Sequence, residues 1–191
     1  MRVLAISGSL RSDSNNTALL RALRGEAPSG VEVEIWNGLK EIPAYDADED
    51  LVPGPEQVEE LRQLVREADA VFFATPEYNS SVPGALKNAL DWASRPFPSS
   101  VLRCKPSAVI GASTGPFGAV WAQAELRKTL TASGAHVVDA ELPVGTAAGA
   151  FALDGTLADP TLSARLRRLL GDLVRAGSPA PSATRSEVLI A

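Results

Sequence analysis

The stretch Val3-Leu-Ala-Ile-Ser-Gly-Ser-Leu-Arg-Ser-Asp-Ser-Asn-Asn-Thr17 joins a short apolar run to the start of a helical pattern. Its first four residues, Val3 to Ile6, include two β-branched side chains, which is typical of a strand buried on both faces. A hydroxyl-rich turn follows and leads to Ala18-Leu-Leu20, where apolar residues resume at helical spacing. The turn is therefore predicted to lie at the carboxyl end of a strand and at the amino end of a helix.

A turn in that position favours an anion, because free backbone N–H groups and the positive end of the helix dipole converge there. Arg11 can add charge, and four side chains can add short hydrogen bonds: Ser9, Ser14, Asn16 and Thr17. A Walker loop would need a lysine, and a dinucleotide fingerprint would need three glycines, whereas this turn has one glycine and no lysine. We interpret the turn as a cradle for a phosphate monoester. The alternative is that its Ser, Asp and Asn residues only cap the first helix.

Strands and helices are predicted to alternate along the rest of the chain. Apolar runs predict four further strands, of which the first alternates strictly, as a half-exposed edge strand does: 31–36, 70–75, 106–113 and 136–142. Apolar stripes predict five helices, at 16–24, starting at Pro55, starting at Pro83, after Gly118 and around 162–173. This order predicts an α/β fold, a doubly wound five-stranded parallel sheet in the order 2-1-3-4-5 with helices on both faces. We expect residues 1–176 to form one domain and residues 177–191 a flexible tail.

Two later loops resemble the first in their position. Thr75-Pro-Glu-Tyr-Asn-Ser-Ser-Val-Pro-Gly84 and Ser113-Thr-Gly-Pro-Phe-Gly118 each follow a predicted buried strand and lead into a helix. In open α/β sheets, ligands bind at the carboxyl ends of the strands, where the strand order reverses. We therefore expect a ligand where the three loops meet.

Composition narrows the class of protein. The 191 residues are 45% hydrophobic, no stretch approaches the length of a membrane span, and Met1-Arg2 leads directly into a strand without room for a signal peptide. A net charge of -5 argues against a nucleic-acid partner. The single cysteine, Cys104, excludes a disulfide framework, and the single histidine, His136, has no metal-ligating neighbour. We predict a cytoplasmic protein without a metal site and without nucleic-acid or membrane partners, and we interpret the carboxylates at 46–50 as a solvated loop.

Three stretches resemble the NADPH-dependent FMN reductase family, which includes flavin-dependent quinone, chromate and azo-dye reductases. They are Gly8-Ser-Leu-Arg-Ser-Asp-Ser-Asn-Asn16, Thr75-Pro-Glu-Tyr-Asn-Ser-Ser-Val-Pro-Gly-Ala-Leu-Lys-Asn-Ala-Leu-Asp-Trp92 and the glycine loop that begins at Ser113. The resemblance covers about residues 1–176. It implies a flavodoxin-like fold, FMN as the cofactor, and NADPH or NADH as the electron donor.

The resemblance also implies roles for the loop residues. The first loop of the family holds the FMN phosphate, which here implicates Ser9, Arg11, Ser14, Asn16 and Thr17. The second loop lies along the isoalloxazine ring, which implicates Pro76, Glu77, Tyr78, Asn79 and Ser80. The third loop closes the far side of the ring through Ser113, Thr114 and Gly115. Asp13 departs from the family pattern because it places a negative charge in the phosphate loop. A bound dianion tolerates this charge only if the side chain faces solvent or pairs with Arg11.

The activity implied is that of an FMN-dependent NAD(P)H oxidoreductase in which flavin N5, and no catalytic side chain, carries the chemistry. We expect a two-step (ping-pong) cycle with a small-molecule electron acceptor: a flavin, a quinone, an azo compound or a metal oxyanion. The alternatives are a flavodoxin-type electron carrier without nicotinamide turnover and a phosphate-ligand sensor.

Flavin sites in the family lie at subunit boundaries, so we expect a homodimer or homotetramer that uses the apolar faces of residues 83–94 and 118–133. Trp92 and Trp121 are expected in the core or at such an interface. Glu77 is expected to bridge subunits or to accept backbone hydrogen bonds.

Overall fold

The computed structural model describes residues 1–178, in which a parallel sheet lies between two layers of helices. The first four strands are β1 (Arg2–Ser7), β2 (Glu32–Trp36), β3 (Ala70–Thr75) and β4 (Pro106–Ala112). The helices are α1 (Asn15–Gly25), α2 (Glu56–Glu67), α3 (Gly84–Ala93), α4 (Val120–Ala132) and α5 (Pro160–Gly177). A fifth strand, β5 (His136–Val137), completes the sheet order β2-β1-β3-β4-β5, so the predicted flavodoxin-like order 2-1-3-4-5 and the edge position of β2 are confirmed.

The two faces of the sheet build two apolar cores. All six residues of β3 are buried, and alternate residues point to opposite faces, as in any strand. Phe73 packs among residues of α2, α3 and α4, whereas Phe72 packs among residues of α1 and α5. Trp92 is fully buried in the first of these cores, as expected, and its indole N–H donates to the Pro43 carbonyl at 2.9 Å.

The predicted fifth strand is interrupted. Instead of one strand over 136–142, the chain forms β5 (His136–Val137) and β6 (Pro143–Val144), and both pieces pair with β4. Between them, side chains of α4 bind the backbone: Gln123 accepts from the Leu142 N–H at 3.2 Å, and Arg127 donates to the Ala140 carbonyl at 3.2 Å. The apolar pattern predicted where this strand begins, but not its interruption after Val137, and β6 lies beyond the predicted end at residue 142. The partners on α4 that bind the backbone between the two pieces could not be seen in the local sequence.

Helix ends differ from the prediction by a few residues. Pro55 and Pro83 each immediately precede a helix, and α5 continues to Gly177, the residue at which the tail was predicted to begin. The remainder of that tail, residues 179–191, lies outside the described residues. No helix within residues 1–178 is both long and apolar enough to cross a membrane.

Candidate cofactor-binding site

The three strand-to-helix loops meet in one open cleft of about 110 Å³ at the carboxyl edge of the sheet, where the strand order reverses around β1. Nine of the residues implicated by the sequence line it: Ser9, Arg11, Ser14, Asn16, Pro76, Glu77, Tyr78, Ser113 and Thr114. Thr17, Asn79, Ser80 and Gly115 belong to the same loops or to the adjoining helix but lie outside the wall. Asn15 and Ala112 line the cleft without having been singled out, although both stand next to residues that were.

The start of α1 is capped from within and keeps donors free. The Ser14 hydroxyl accepts from the Thr17 N–H at 3.2 Å, and the Thr17 hydroxyl donates to the Ser7 hydroxyl at 2.9 Å. No acidic residue stands in the first turn. Because the first N–H groups of a helix have no intrahelical acceptor, those of Asn15 and Asn16 are left for a ligand. Capping and anion binding, the two interpretations of this turn, are therefore compatible.

The Asn16 side chain is engaged elsewhere. Its amide nitrogen donates to the Ala112 carbonyl at 3.0 Å, and its oxygen accepts from the Ala112 N–H at 2.9 Å. The residue is 3% exposed. Asn16 therefore joins the start of α1 to the end of β4, and only its backbone N–H remains for a ligand at this position. Nothing in the local sequence indicates a partner so far along the chain.

Arg11 brings a cation to the mouth of the cleft. Within residues 1–178, its guanidinium donates one hydrogen bond, to the backbone carbonyl of Asp13 at 3.4 Å, and takes part in no ion pair. Asp13 is exposed and lies outside the wall of the cleft. Its carboxylate therefore faces solvent, which is one of the two arrangements that a bound dianion would tolerate. The positive charge of Arg11 is therefore available to a ligand.

The second loop carries Tyr78 to the cleft on a tight turn. The backbone groups of Tyr78 and Ser81 bind each other in both directions at 3.1 Å. Between them, Asn79 and Ser80 have φ values of 52° and 59°, the pattern of a type I′ turn. Asn79 and Ser80 form the exposed tip of that turn, while Tyr78, half-exposed, lines the cleft.

Glu77 connects this loop to α4. Its carboxylate accepts from the N–H groups of Trp121 at 3.0 Å and Ala122 at 3.1 Å. The residue before α4, Ala119, has a φ of 60° and no side chain able to cap the helix. Glu77 therefore serves as the cap of α4, which is the second of the two roles expected for it.

Glu125, on α4, holds the far end of the same turn. Its carboxylate accepts from the Ser81 hydroxyl and from the Val82 N–H, and these two bonds lower its pKa. The second loop is thus fixed to α4 by one carboxylate at each end.

The third loop rests on residues 143–147, which no sequence motif indicated as part of the site. Ser113 donates its N–H to Val144 at 3.1 Å and accepts from Ala147 at 3.0 Å, and Gly115 accepts from Thr146 at 2.9 Å. Gly145 packs so closely that a Cβ there would lie 2.1 Å from the Pro116 carbonyl oxygen. The glycine after the last strand was the one local indication of this contact.

The residues present fit FMN. An uncompensated helix start, the hydroxyl of Ser9 and the charge of Arg11 suit a phosphate, and Pro76 and Tyr78 give the neighbouring wall an apolar and an aromatic surface. Gly8 lets the first and second loops approach, because a Cβ there would lie 2.8 Å from Leu86 Cδ2 and 3.3 Å from Pro76 Cδ. Phosphate and ring can therefore share one edge of the sheet.

Comparisons with known proteins agree on the family. The sequence model described as NADPH-dependent FMN reductase matches residues 1–149. An NAD(P)H-dependent FMN reductase of Pseudomonas aeruginosa is 45% identical over 160 residues, which is 83% of this chain and 85% of that protein. A quinone reductase of Pseudomonas putida is 39% identical over 160 residues, 83% of this chain and 86% of that protein.

A solved structure gives the same result for the fold. The flavoenzyme FerB of Paracoccus denitrificans, an NAD(P)H:(acceptor) oxidoreductase, superposes with a TM-score of 0.81 at 35% identity. The match covers 92% of this chain and 96% of that one.

Proposed function

The chain belongs to the NADPH-dependent FMN reductase family, an enzyme family that uses FMN and NAD(P)H, and we propose that it reduces small-molecule acceptors by a two-step (ping-pong) cycle. Among the acceptor classes expected from the sequence, we place quinones first, since relatives at 39–41% identity are named quinone reductases. Flavins, azo compounds and metal oxyanions follow. One observation carries the proposal: three loops converge on a helix start that has no internal anion.

We infer that the first loop holds the FMN phosphate. Ser9 and Arg11 donate from their side chains, and Ser14 and Thr17 hold the start of α1 so that its free N–H groups face the phosphate. Asn16 contributes through its backbone, while its side chain ties that helix to β4. We assign these roles according to which hydrogen-bond donors of the loop are already bound within the protein and which are free.

We infer that the other two loops flank the ring. Pro76 and Tyr78 provide the apolar and aromatic surface next to the ring. Glu77 acts indirectly, because it fixes their loop to α4. Asn79 and Ser80 shape the turn that carries Tyr78. The third group, Ser113, Thr114 and Gly115, closes the remaining side.

Bound FMN supplies hydride chemistry, so the protein has to bind and orient it and to leave one face accessible to donor and acceptor in turn. The cleft is open, and its walls carry no His or Cys and a single carboxylate, Glu77. That carboxylate is engaged by two backbone N–H groups. We therefore assign no proton-transfer role to a side chain.

We propose that the enzyme is a homodimer or homotetramer assembled through α3 and α4. Three large exposed side chains lie on the second loop, on the third loop and at the start of α4, and two of them, Phe117 and Trp121, stack edge to face with ring centroids 5.2 Å apart. The third is Tyr78, which is 50% exposed. An apolar group of this kind at the rim of a cofactor site suits a subunit contact. Light scattering at micromolar concentration should give a mass of two or four chains, and a monomeric mass contradicts the proposal.

The activity is tested by the visible spectrum of the protein with FMN, before and after anaerobic NADPH and then a quinone. We expect a bound-flavin spectrum that bleaches in one two-electron step and returns when quinone is added. Initial rates at several quinone concentrations should give parallel double-reciprocal lines. If NADPH leaves the flavin oxidised while a chemical reductant reduces it in two separate one-electron stages, the carrier function replaces the reductase. If FMN does not bind, the cofactor site itself is wrong.

A further inference from the structure

A cavity of about 360 Å³ lies towards the amino edge of the sheet, away from the cofactor cleft. Its wall is formed by α2, by the segment 95–105 that leads from α3 to β4, and by Val52. Lys105, in this wall, directly precedes β4, whereas the last residue of the same strand, Ala112, lines the cofactor cleft. At about 3.3 Å per residue, the strand separates the two sites by about 20 Å, and their walls have no residue in common.

Two polar side chains in this wall are almost completely buried. The side chain of Arg62 is 4% exposed, and Ser100 is 9% exposed. The Arg62 guanidinium donates to Asp50 at 2.7 Å, to Glu59 at 2.8 Å and twice to the Trp92 carbonyl, at 3.0 and 3.3 Å. These bonds use four of its five N–H groups, so one on Nη1 has no acceptor within residues 1–178. A buried cation is thus held firmly in the wall with a donor to spare.

The Ser100 hydroxyl also lacks a hydrogen-bond partner within residues 1–178. Its backbone carbonyl accepts from the Arg103 N–H at 3.1 Å, which fixes the turn that carries it. The hydroxyl oxygen is not sealed off, because the one sealed and unpartnered side-chain atom of the described residues is the Trp36 nitrogen. The small accessible part of Ser100 therefore includes this oxygen and opens onto the cavity. Since buried polar groups nearly always have a partner, an open hydroxyl here points to a ligand.

Four further cations complete the wall: Arg66, Arg95, Arg103 and Lys105. Arg95 and Lys105 are half-buried, the other two are exposed, and none of the four takes part in the ion pairs of residues 1–178. Against the five cations stand Glu59 and Asp50, both bound to Arg62, which leaves an excess of three positive charges. The whole chain, in contrast, has a net charge of -5. This local excess favours an anion.

Lys105 shows that part of this positive charge is uncompensated. Its ammonium group donates to the Ala68 carbonyl at 2.5 Å and to the Arg66 carbonyl at 3.4 Å, both of which are neutral. Burial lowers the pKa of Lys105, and the charge of Asp69 opposes this shift without cancelling it. An anion in the cavity would stabilise the charged form of the lysine.

The chemistry of the wall suits a pyrophosphate group better than a single phosphate. Guanidinium groups bind phosphate oxygens in pairs, and the Ser100 hydroxyl can donate to a further oxygen. A phosphate monoester brings only about 1.5–2 negative charges near pH 7, which is less than the excess of positive charge in the wall. Val52, Pro96 and Val101 add an apolar side, against which a group attached to the pyrophosphate could lie.

We propose that this cavity binds a pyrophosphate group, either the free ion or the diphosphate of a nucleotide. The inference goes beyond the proposed function, because the site lies apart from the cofactor cleft and takes no part in the flavin reaction. A ligand bound here would connect α2 to the segment 95–105 and would stabilise the folded protein as its concentration rises.

Binding is tested by titration calorimetry on FMN-saturated protein, so that the phosphate cradle at α1 is filled. Pyrophosphate, ADP and inorganic phosphate are compared at constant ionic strength and without divalent cations. We expect one site that binds pyrophosphate at least about tenfold more tightly than inorganic phosphate. Tighter binding of ADP than of pyrophosphate identifies a nucleotide as the source of the group, and equal or weaker binding identifies the free ion. If pyrophosphate does not bind at millimolar concentration, or binds no better than inorganic phosphate, the proposal is wrong.

Two matched double variants separate a defined site from general attraction. R66Q/R103Q removes the two exposed cations of the wall and should weaken pyrophosphate binding at least about tenfold. R24Q/R168Q removes two exposed cations from α1 and α5 and should leave binding unchanged. S100A should weaken binding about two- to tenfold without lowering the melting temperature of the ligand-free protein. Equal weakening in the two double variants, or normal binding in R66Q/R103Q, overturns the site.

Discussion

The starts of α1 and α4 lie on the same edge of the sheet and border the same cleft, yet they are stabilised in different ways. The first turn of α1 holds no acid, and the neutral amide of Asn16 fastens it to β4. At the start of α4, the carboxylate of Glu77 accepts the free N–H groups. One helix start already has an internal anion, and the other has none.

This difference supports the position that we propose for the cofactor phosphate. Both helix starts carry partial positive charge. A second anion at α4 would have to displace or approach Glu77, whereas one at α1 meets free N–H groups and the guanidinium of Arg11. In this proposal, one of two similar positions stays open to the phosphate because the protein fills the other with its own side chain.

The largest effect is expected where α1 is fastened. Asn16→Ala leaves the N–H and the carbonyl of Ala112 buried without partners, which costs about 1–3 kcal/mol for each group. Urea unfolding should therefore show a large loss of stability. Asn15→Ala, on the same turn but without these bonds, is the control and should change stability little. Equal stability of the two variants would contradict the fastening role.

The charge at the open helix start is tested by Arg11→Ala. Loss of a charge-assisted hydrogen bond worth about 1.5–3 kcal/mol should raise the dissociation constant of FMN about ten- to hundredfold. Arg11→Lys should recover part of the lost affinity for FMN. Arg24→Ala, at the far end of α1, is the control and should have no effect on FMN binding. An unchanged dissociation constant in the first variant removes Arg11 from the site. The measurement is quenching of FMN fluorescence.

Ser14→Asp would make the start of α1 resemble that of α4. Aspartate caps helices as well as serine does, so the fold should keep its stability, but the new charge repels the phosphate. We expect FMN to bind roughly tenfold more weakly at low salt, with a smaller effect at high salt. Ser14→Asn, also a good cap but neutral, should bind FMN normally. If Asp and Asn behave alike, charge at this position is irrelevant.

Glu77→Ala removes the internal anion of α4. Loss of a helix cap should lower the free energy of unfolding by about 0.5–2 kcal/mol, measured with urea on the protein without FMN. Glu77→Gln retains an acceptor and should lose only the smaller charge contribution of about 0.3–1 kcal/mol. Full stability of both variants would mean that α4 needs no cap from the second loop.

The smallest effect concerns Glu125 and depends on pH. Its pKa is lowered from 4.5 by the Ser81 hydroxyl and the Val82 N–H, so its carboxylate stabilises the fold above pH 4.5, and this contribution is lost as the pH falls through the lowered pKa. Glu125→Gln should cost less than about 1 kcal/mol at pH 7, because the side chain is exposed, and the difference from the wild type should shrink towards pH 3. Glu60→Gln on α2 is the control. If the stability difference between Glu125→Gln and the wild type grew on acidification, the Glu125 carboxylate would not stabilise the fold in the way stated here.

Most of the fold could be predicted because the apolar patterns that define each strand and helix lie within a few consecutive residues. The unbroken apolar run at 70–75 could only be a strand buried on both faces, and the carboxyl ends of parallel strands necessarily share an edge, so the convergence of the three loops followed. The interruption between β5 and β6 could not be predicted in this way. It depends on Gln123 and Arg127, which reach the strand from a helix on the neighbouring layer.

In the candidate site too, features set by local sequence could be predicted, and those that depend on distant partners could not. Residues that line the cleft were found from the loops that contain them, as with Ser9 and Thr114. What the sequence could not give is which of their polar groups are already bound: the Asn16 amide by Ala112, the Glu77 carboxylate by α4. That FMN contacts these residues, that residues 1–176 form one domain and that the protein is cytoplasmic stay predictions.

The close packing of Gly145 against Pro116 has a consequence for mutational scanning. If every residue were replaced in turn and the variants sorted by reductase activity, Gly145 should tolerate almost nothing, because any side chain would push the third loop out of place. It would therefore score like a residue of the active centre although it lies outside the wall of the cleft. Scoring the same library for abundance as well as activity would separate such supporting positions from those that meet the flavin.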